Sequence, residues 1–147
     1  MSLRDTYKTD AAKETEGVWE TFGLNLKGEP IELHLSRISR TNTRYTKVLQ
    51  REIRPHRAAL NADAMDPALG DKVLQGVFVD TILLGWRGVL KYELSGDEAD
   101  TDELPFTREN AMRLFDEMPD FYDDAEERAK SIATFRDKER DTVKGNS

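Results

Sequence analysis

The sequence predicts a mainly α-helical single domain with an N-terminal β-hairpin, and three observations predict it. Ile31, Leu33 and Leu35 alternate with polar residues, the period of a strand. After Thr41, Asp66 and Thr107, apolar residues recur every three to four positions, the period of a helix. Lys27-Gly28 and the prolines Pro55, Pro67, Pro105 and Pro119 punctuate these runs. A chain of 147 residues suits one domain. Its expected divisions are a flexible N-terminal arm (1–16), a β-hairpin (17–38), a helical core (41–135) and a flexible tail (136–147), giving an α+β character with minor strand content.

The first sixteen residues are polar with little periodicity, as in an arm or a short frayed helix. "GVWETFGL" (17–24) and "PIELHLSRI" (30–38) read as strands around the turn "NLKGE". A lone hairpin is marginal in water, so it must lean on helices or on another subunit. From Thr41 an amphipathic helix sets Ile38, Tyr45, Val48, Leu49 and Ile53 on one side and a basic face on the other, until Pro55 ends or kinks it. Asp66 caps the next helix, with Pro67 at its first position. Its apolar residues from Leu69 to Leu83 cover most of the circumference, which predicts the most buried helix of the protein, ending near Gly85-Trp86. Arg87–Leu94 reads as a short strand or extended run, and Ser95–Glu103 as an acidic loop. Thr107 and Pro119 start the last two helices. Asp120, Asp123 and Asp124 sit near the second start, where the helix dipole favours carboxylates.

Charge and composition exclude several functions. Hydrophobic residues are 37% and charged residues 35%, with a formal net charge of −7. That acidity disfavours nucleic acid and anionic membranes as partners. With no cysteine there is neither disulfide nor thiolate chemistry. The longest apolar concentration, Val77 to Trp86, is too short to span a bilayer, so a soluble cytoplasmic protein is expected. The two histidines, His34 and His56, lie far apart, no zinc or calcium-loop spacing is present, and no nucleophile motif or phosphate-binding glycine loop occurs. The sequence therefore predicts no enzyme, no catalytic or metal-binding residue and no cofactor.

Two surfaces remain as candidate binding sites. The aromatic residues Trp86, Phe106, Phe115 and Phe121 are candidate partner anchors, since aromatic anchors dominate interface energetics. Arg37, Arg40, Arg44, Lys47, Arg51 and Arg54 form the candidate basic face. Seven Lys/Arg fall between Arg37 and Arg57 against one acid, Glu52, whereas Glu93–Glu127 holds fourteen acids against Arg108 and Arg113. That split suggests docking of one half on the other, within a chain or head to tail in a homo-oligomer. The alternative is a helical nucleic-acid-associated or regulatory protein that uses the basic face.

The order of these features resembles the tail assembly chaperones of long-tailed bacteriophages. The resemblance rests on "GWRGV" (85–89) closing an apolar helix and on "LPFTRENAMRLFDEMPDFYDDAEERA" (104–129), with "DTYKTDAAKETEGVWETF" (5–22) and "SRTNTRYTKVL" (39–49) upstream. It covers about residues 5–135, and its motifs are packing signatures rather than catalytic ones. It implies a non-enzymatic protein of the host cytoplasm, absent from the finished virion. Such a protein binds the tape measure protein, keeps its apolar helices soluble and helps recruit tail tube subunits. A longer product made by frameshifting is also implied, with "VKGNS" (143–147) as a fitting end for the short form.

Overall fold

The computed structural model describes residues 2–136; the expected tail lies outside them except for Arg136. The segment expected as a flexible arm forms two short helices, Leu3–Tyr7 (α1) and Ala11–Glu16 (α2). Ser2 and Asp5 make a reciprocal capping box on α1, and the Asp10 carboxylate accepts from the Ala12 and Lys13 amides of α2. The segment is tied to the body as well. Glu14 pairs with Arg37, Thr9 bridges to Arg136, and the Asp10 amide donates to the Phe135 carbonyl at 2.9 Å.

Val18–Leu24 (β1) and Pro30–Leu35 (β2) pair antiparallel, from Val18 opposite Leu35 to Leu24 opposite Pro30, with a bulge between Thr21 and Gly23. Asn25 builds the turn. Its side-chain oxygen accepts from the Lys27 and Glu29 amides at 2.9 and 3.0 Å, and its amide nitrogen donates to the Gly88 carbonyl at 3.0 Å. A third strand, Leu83–Arg87 (β3), pairs antiparallel with β2, so the sheet order is β1-β2-β3.

The third strand corrects the expected helix boundary. The apolar helix runs Pro67–Thr81 (α5) and stops short of Gly85, where the sequence predicts its end. The end of β2 captures the chain as it leaves α5. The Ser36 amide donates to the Ile82 carbonyl at 2.9 Å and the Ser36 hydroxyl to the Thr81 carbonyl at 3.1 Å. Leu83 then sits opposite Leu35. Sheet pairing overrides a helical apolar period here. Downstream, Tyr92–Ser95 (α6) is a single helical turn closed by Gly96 in the left-handed region, where an extended run is expected.

The helix of the basic face is Thr43–Ile53 (α3), capped by Asn42. At Pro55 it tightens into a 3-10 turn over Arg54–His56 and continues as Arg57–Asn61 (α4), so proline kinks the helix rather than ending it. Arg108–Glu117 (α7) is capped by Thr107, and Pro119–Lys130 (α8) starts with proline at its first position. Both lie against the sheet. Leu33 and Leu35 meet Phe78, Ile82, Phe115, Ala125 and Ala129, all at most 1% exposed, in the main core. Alanine at positions 111, 125 and 129 lets these backbones approach closely.

The outer face of the sheet is polar and ordered. The Trp19 ring stacks on His34 with centroids 4.7 Å apart, and the Arg87 guanidinium lies 4.0 Å above Trp19. Arg87 also donates twice to the Glu32 carboxylate, at 2.7 and 3.2 Å. That hydrogen bonding holds the Glu32 pKa below its usual 4.5. A carboxylate with a lowered folded pKa stabilises the fold above its unfolded pKa and loses that contribution as pH falls through the folded value. Wild type and Glu32→Gln should therefore differ in thermal midpoint near neutral pH and converge below 4.5. Melts across a pH series check this, and a constant offset counts against it. The difference is small, because the pair is wet.

Candidate functional site

Strand, loop and helix ends meet in an apolar groove of about 180 Å³. Phe22 reaches it from β1, Ile31 from β2, and Leu114 and Met118 from the end of α7. Val89, just past β3, and Phe121, in the first turn of α8, line it as well, and Glu93 of α6 is its one charged lining residue among the described residues. Pro119 positions two of these side chains. It forces a break between α7 and α8 at Met118, whose φ of −130° and ψ of 78° are not helical, so Met118 and Phe121 reach the same groove. The Phe121 ring meets Phe22 edge-on at 5.2 Å and lies 5.6 Å from Phe115. The Arg128 guanidinium covers Phe22 at 4.0 Å.

The four candidate aromatics thus play different parts. Phe121 lines the groove and packs both on the main core and on a second buried cluster of Val89, Leu104 and Leu114. Phe106 is 42% exposed and rests edge-on against Trp86, with centroids 4.9 Å apart. Trp86 is half-buried, and its indole N–H donates to the Leu104 carbonyl at 2.9 Å, holding the loop before α7. Phe115 is fully buried against Phe78 and Tyr122, so in this fold it is a core residue and not a surface anchor. Tyr122 donates to Glu126 at 2.7 Å, and burial pushes its phenol well above the usual range. Sequence reasoning misses Phe22, Ile31 and Met118 as groove residues. They come from distant segments, and only the Met-Pro step before α8 hints at an exposed apolar side chain.

Further apolar side chains lie on the helical hairpin formed by α3, α4 and α5. Leu60, Leu69 and Leu74 are 42–44% exposed. Among the described helices α5 has the most buried residues, as expected, and they are concentrated in its second half, from Gly76 onward. The helix packs on α3, and in its first half Leu69 and Leu74 face water.

The basic face also divides. Arg37 is engaged by Glu14, Arg44 donates to the Asp80 carbonyl at 2.9 Å, and Arg51 pairs with Glu52 at 3.1 Å. The side chains of Arg40, Lys47 and Arg54 are exposed and make no ion pair among the described residues. Asp80, in the last turn of α5, pairs with Arg108 at 2.8 Å, a structural partner linking α5 to α7.

No helix among the described residues is long and apolar enough to cross a membrane. No curated protein and no solved structure matches the chain. A family model described as YdaY prophage protein matches residues 40–146, from the basic helix through both terminal helices. This match takes in α3 to α8 and the Met118-Pro119 break that shapes the groove, and on it the chain belongs to the YdaY prophage protein family and is a phage-associated protein.

Proposed function

We propose that this prophage protein is a tail assembly chaperone. It binds apolar helical segments of the tape measure protein in the host cytoplasm and helps bring tail tube subunits to them. The observation that carries this reading is the open apolar groove between the sheet and the α7–α8 junction, with Glu93 as its one charged wall residue among the described residues. Such a groove accepts apolar side chains of an amphipathic helix, and Phe22, Met118 and Phe121 supply adaptable aromatic and thioether surface. The likeness of residues 104–129 to tail assembly chaperones points the same way, since that segment forms α7, α8 and the groove between them.

Co-expression with the neighbouring tape measure protein provides the test. Wild type should keep that protein in the soluble fraction and co-purify with it. Met118→Glu places a carboxylate in the groove, and because Met118 also packs on the buried Val89, Leu104 and Leu114, circular dichroism verifies that the variant folds. It should weaken capture by about tenfold or more, because burying an unpaired charge costs well over the 1.4 kcal/mol that a factor of ten requires. If wild type leaves the tape measure protein insoluble and unbound, the proposal fails. If Met118→Glu captures it normally, the groove is not the binding surface.

A further inference from the structure

We propose that a second copy of this chain docks its acidic α8 face against the basic α3 face of the first, so that copies assemble head to tail. Along α3 and into the 3-10 turn that continues it, Arg44, Lys47, Arg51 and Arg54 follow one another at intervals of three, four and three residues, and all four are exposed. They occupy the side opposite Tyr45, which packs on the main core, and the half-buried Leu49. On α8, Asp120, Asp123 and Glu127 follow at intervals of three and four, are exposed, and lie opposite the buried Ala125 and Ala129. Both stripes therefore have the spacing of one helix face, and their charges can be laid side by side in register.

The pattern of internal pairing singles out these stripes. Asp124 and Glu126 are already matched within α8, to Arg128 at 3.2 Å and Lys130 at 2.9 Å. Asp120, Asp123 and Glu127 form no ion pair among the described residues, and neither do Lys47 and Arg54. No α3 cation pairs with an α8 carboxylate inside the described chain. Arg44 is held by the Asp80 carbonyl and Arg51 by Glu52, so among the described residues Lys47 and Arg54 on one stripe and Asp120, Asp123 and Glu127 on the other are left without an ion pair, and the opposite row of another copy matches them. With a net charge of −7, a symmetric contact of acidic face on acidic face is disfavoured. A contact between two different faces is heterologous, so it builds a ring or an open chain rather than a closed dimer.

Sedimentation velocity on the full chain tests this. Wild type should associate with rising concentration at low salt and dissociate near 1 M salt, where the screening length is about 3 Å. Lys47→Glu/Arg54→Glu and Asp123→Lys/Glu127→Lys alter exposed side chains, and circular dichroism verifies that both variants fold. Each alone should lower the apparent association constant by about tenfold or more. An equimolar mixture of the two should restore association, because each reversed stripe then faces a complementary one. The proposal is overturned if wild type stays monomeric at low salt. It is overturned equally if either variant associates like wild type or if the mixture stays dissociated. It is also overturned if Lys47→Glu/Arg54→Glu abolishes salt-sensitive binding of duplex DNA while self-association is unchanged. Because the readout is self-association, the result is independent of tape measure capture.

Discussion

Phe115→Ala is expected to destabilise the protein by about 3–5 kcal/mol, the cost typical of deleting a buried aromatic ring. Phe115 is fully buried, and three other rings surround it. Phe78 lies at 5.8 Å, Phe121 at 5.6 Å and Tyr122 at 5.3 Å between centroids. Removing this ring leaves a cavity bounded by α5, α7 and α8. The alanines at 111 and 125 are too small to fill it, and closing it requires whole helices to move. Since domains of this size are stable by about 5–15 kcal/mol, the variant retains a small margin or none. Denaturant titration gives the loss directly. Phe106→Ala is the matched comparison. Its ring is 42% exposed and touches Trp86 from outside, so about 1 kcal/mol or less is expected. Equal losses at the two positions would contradict the division of the aromatic set into core and surface members.

That division marks the limit of what the sequence makes legible. Thr107, Pro119, Asp66 and Pro67 act locally. A cap or an N1 proline works through the backbone of its own helix, so the starts of α5, α7 and α8 can be read directly. The strand period of β2 is local as well. The third strand is not. Leu83–Arg87 continues a helical apolar run, and it becomes a strand because Ser36 and Leu35, far away in sequence, take up its backbone. Burial of α5 is likewise set by its neighbours, which cover its second half and leave Leu69 and Leu74 in water. The groove is the extreme case. Phe121 can be singled out from the sequence, but Phe22, Ile31 and Met118 become one surface only when the sheet meets the α7–α8 junction. The charge split between α3 and α8 is fully visible in sequence. Which charges are already paired is not, because Glu14 and the Asp80 carbonyl come from other elements.

Gly88→Ala is expected to cost about 2–5 kcal/mol, combining left-handed backbone strain of about 1–2 kcal/mol with overpacking of about 1–3 kcal/mol. Gly88 has φ of +77°, and an added Cβ would stand 2.1 Å from the Pro30 carbonyl oxygen and 3.0 Å from its carbon. Both neighbours are backbone, so no side chain can rotate away and the start of β2 must shift. The same glycine presents its carbonyl to the Asn25 side chain at 3.0 Å, so a shift here also loosens the contact that ties the hairpin turn to β3. Gly96→Ala separates the two effects. Gly96 has φ of +68°, but an added Cβ would meet nothing within 4 Å, so only the strain of about 1–2 kcal/mol applies there. The excess at position 88 therefore measures the close approach of Gly88 to Pro30. Ile31 and Val89, the chain neighbours of that contact, both line the groove. If the groove is the docking surface proposed above, Gly88→Ala should weaken that proposed capture even at temperatures where it remains folded, whereas Gly96→Ala should leave it intact. Equal stability losses for the two variants in denaturant titration would show that Pro30 and Gly88 are not in close contact.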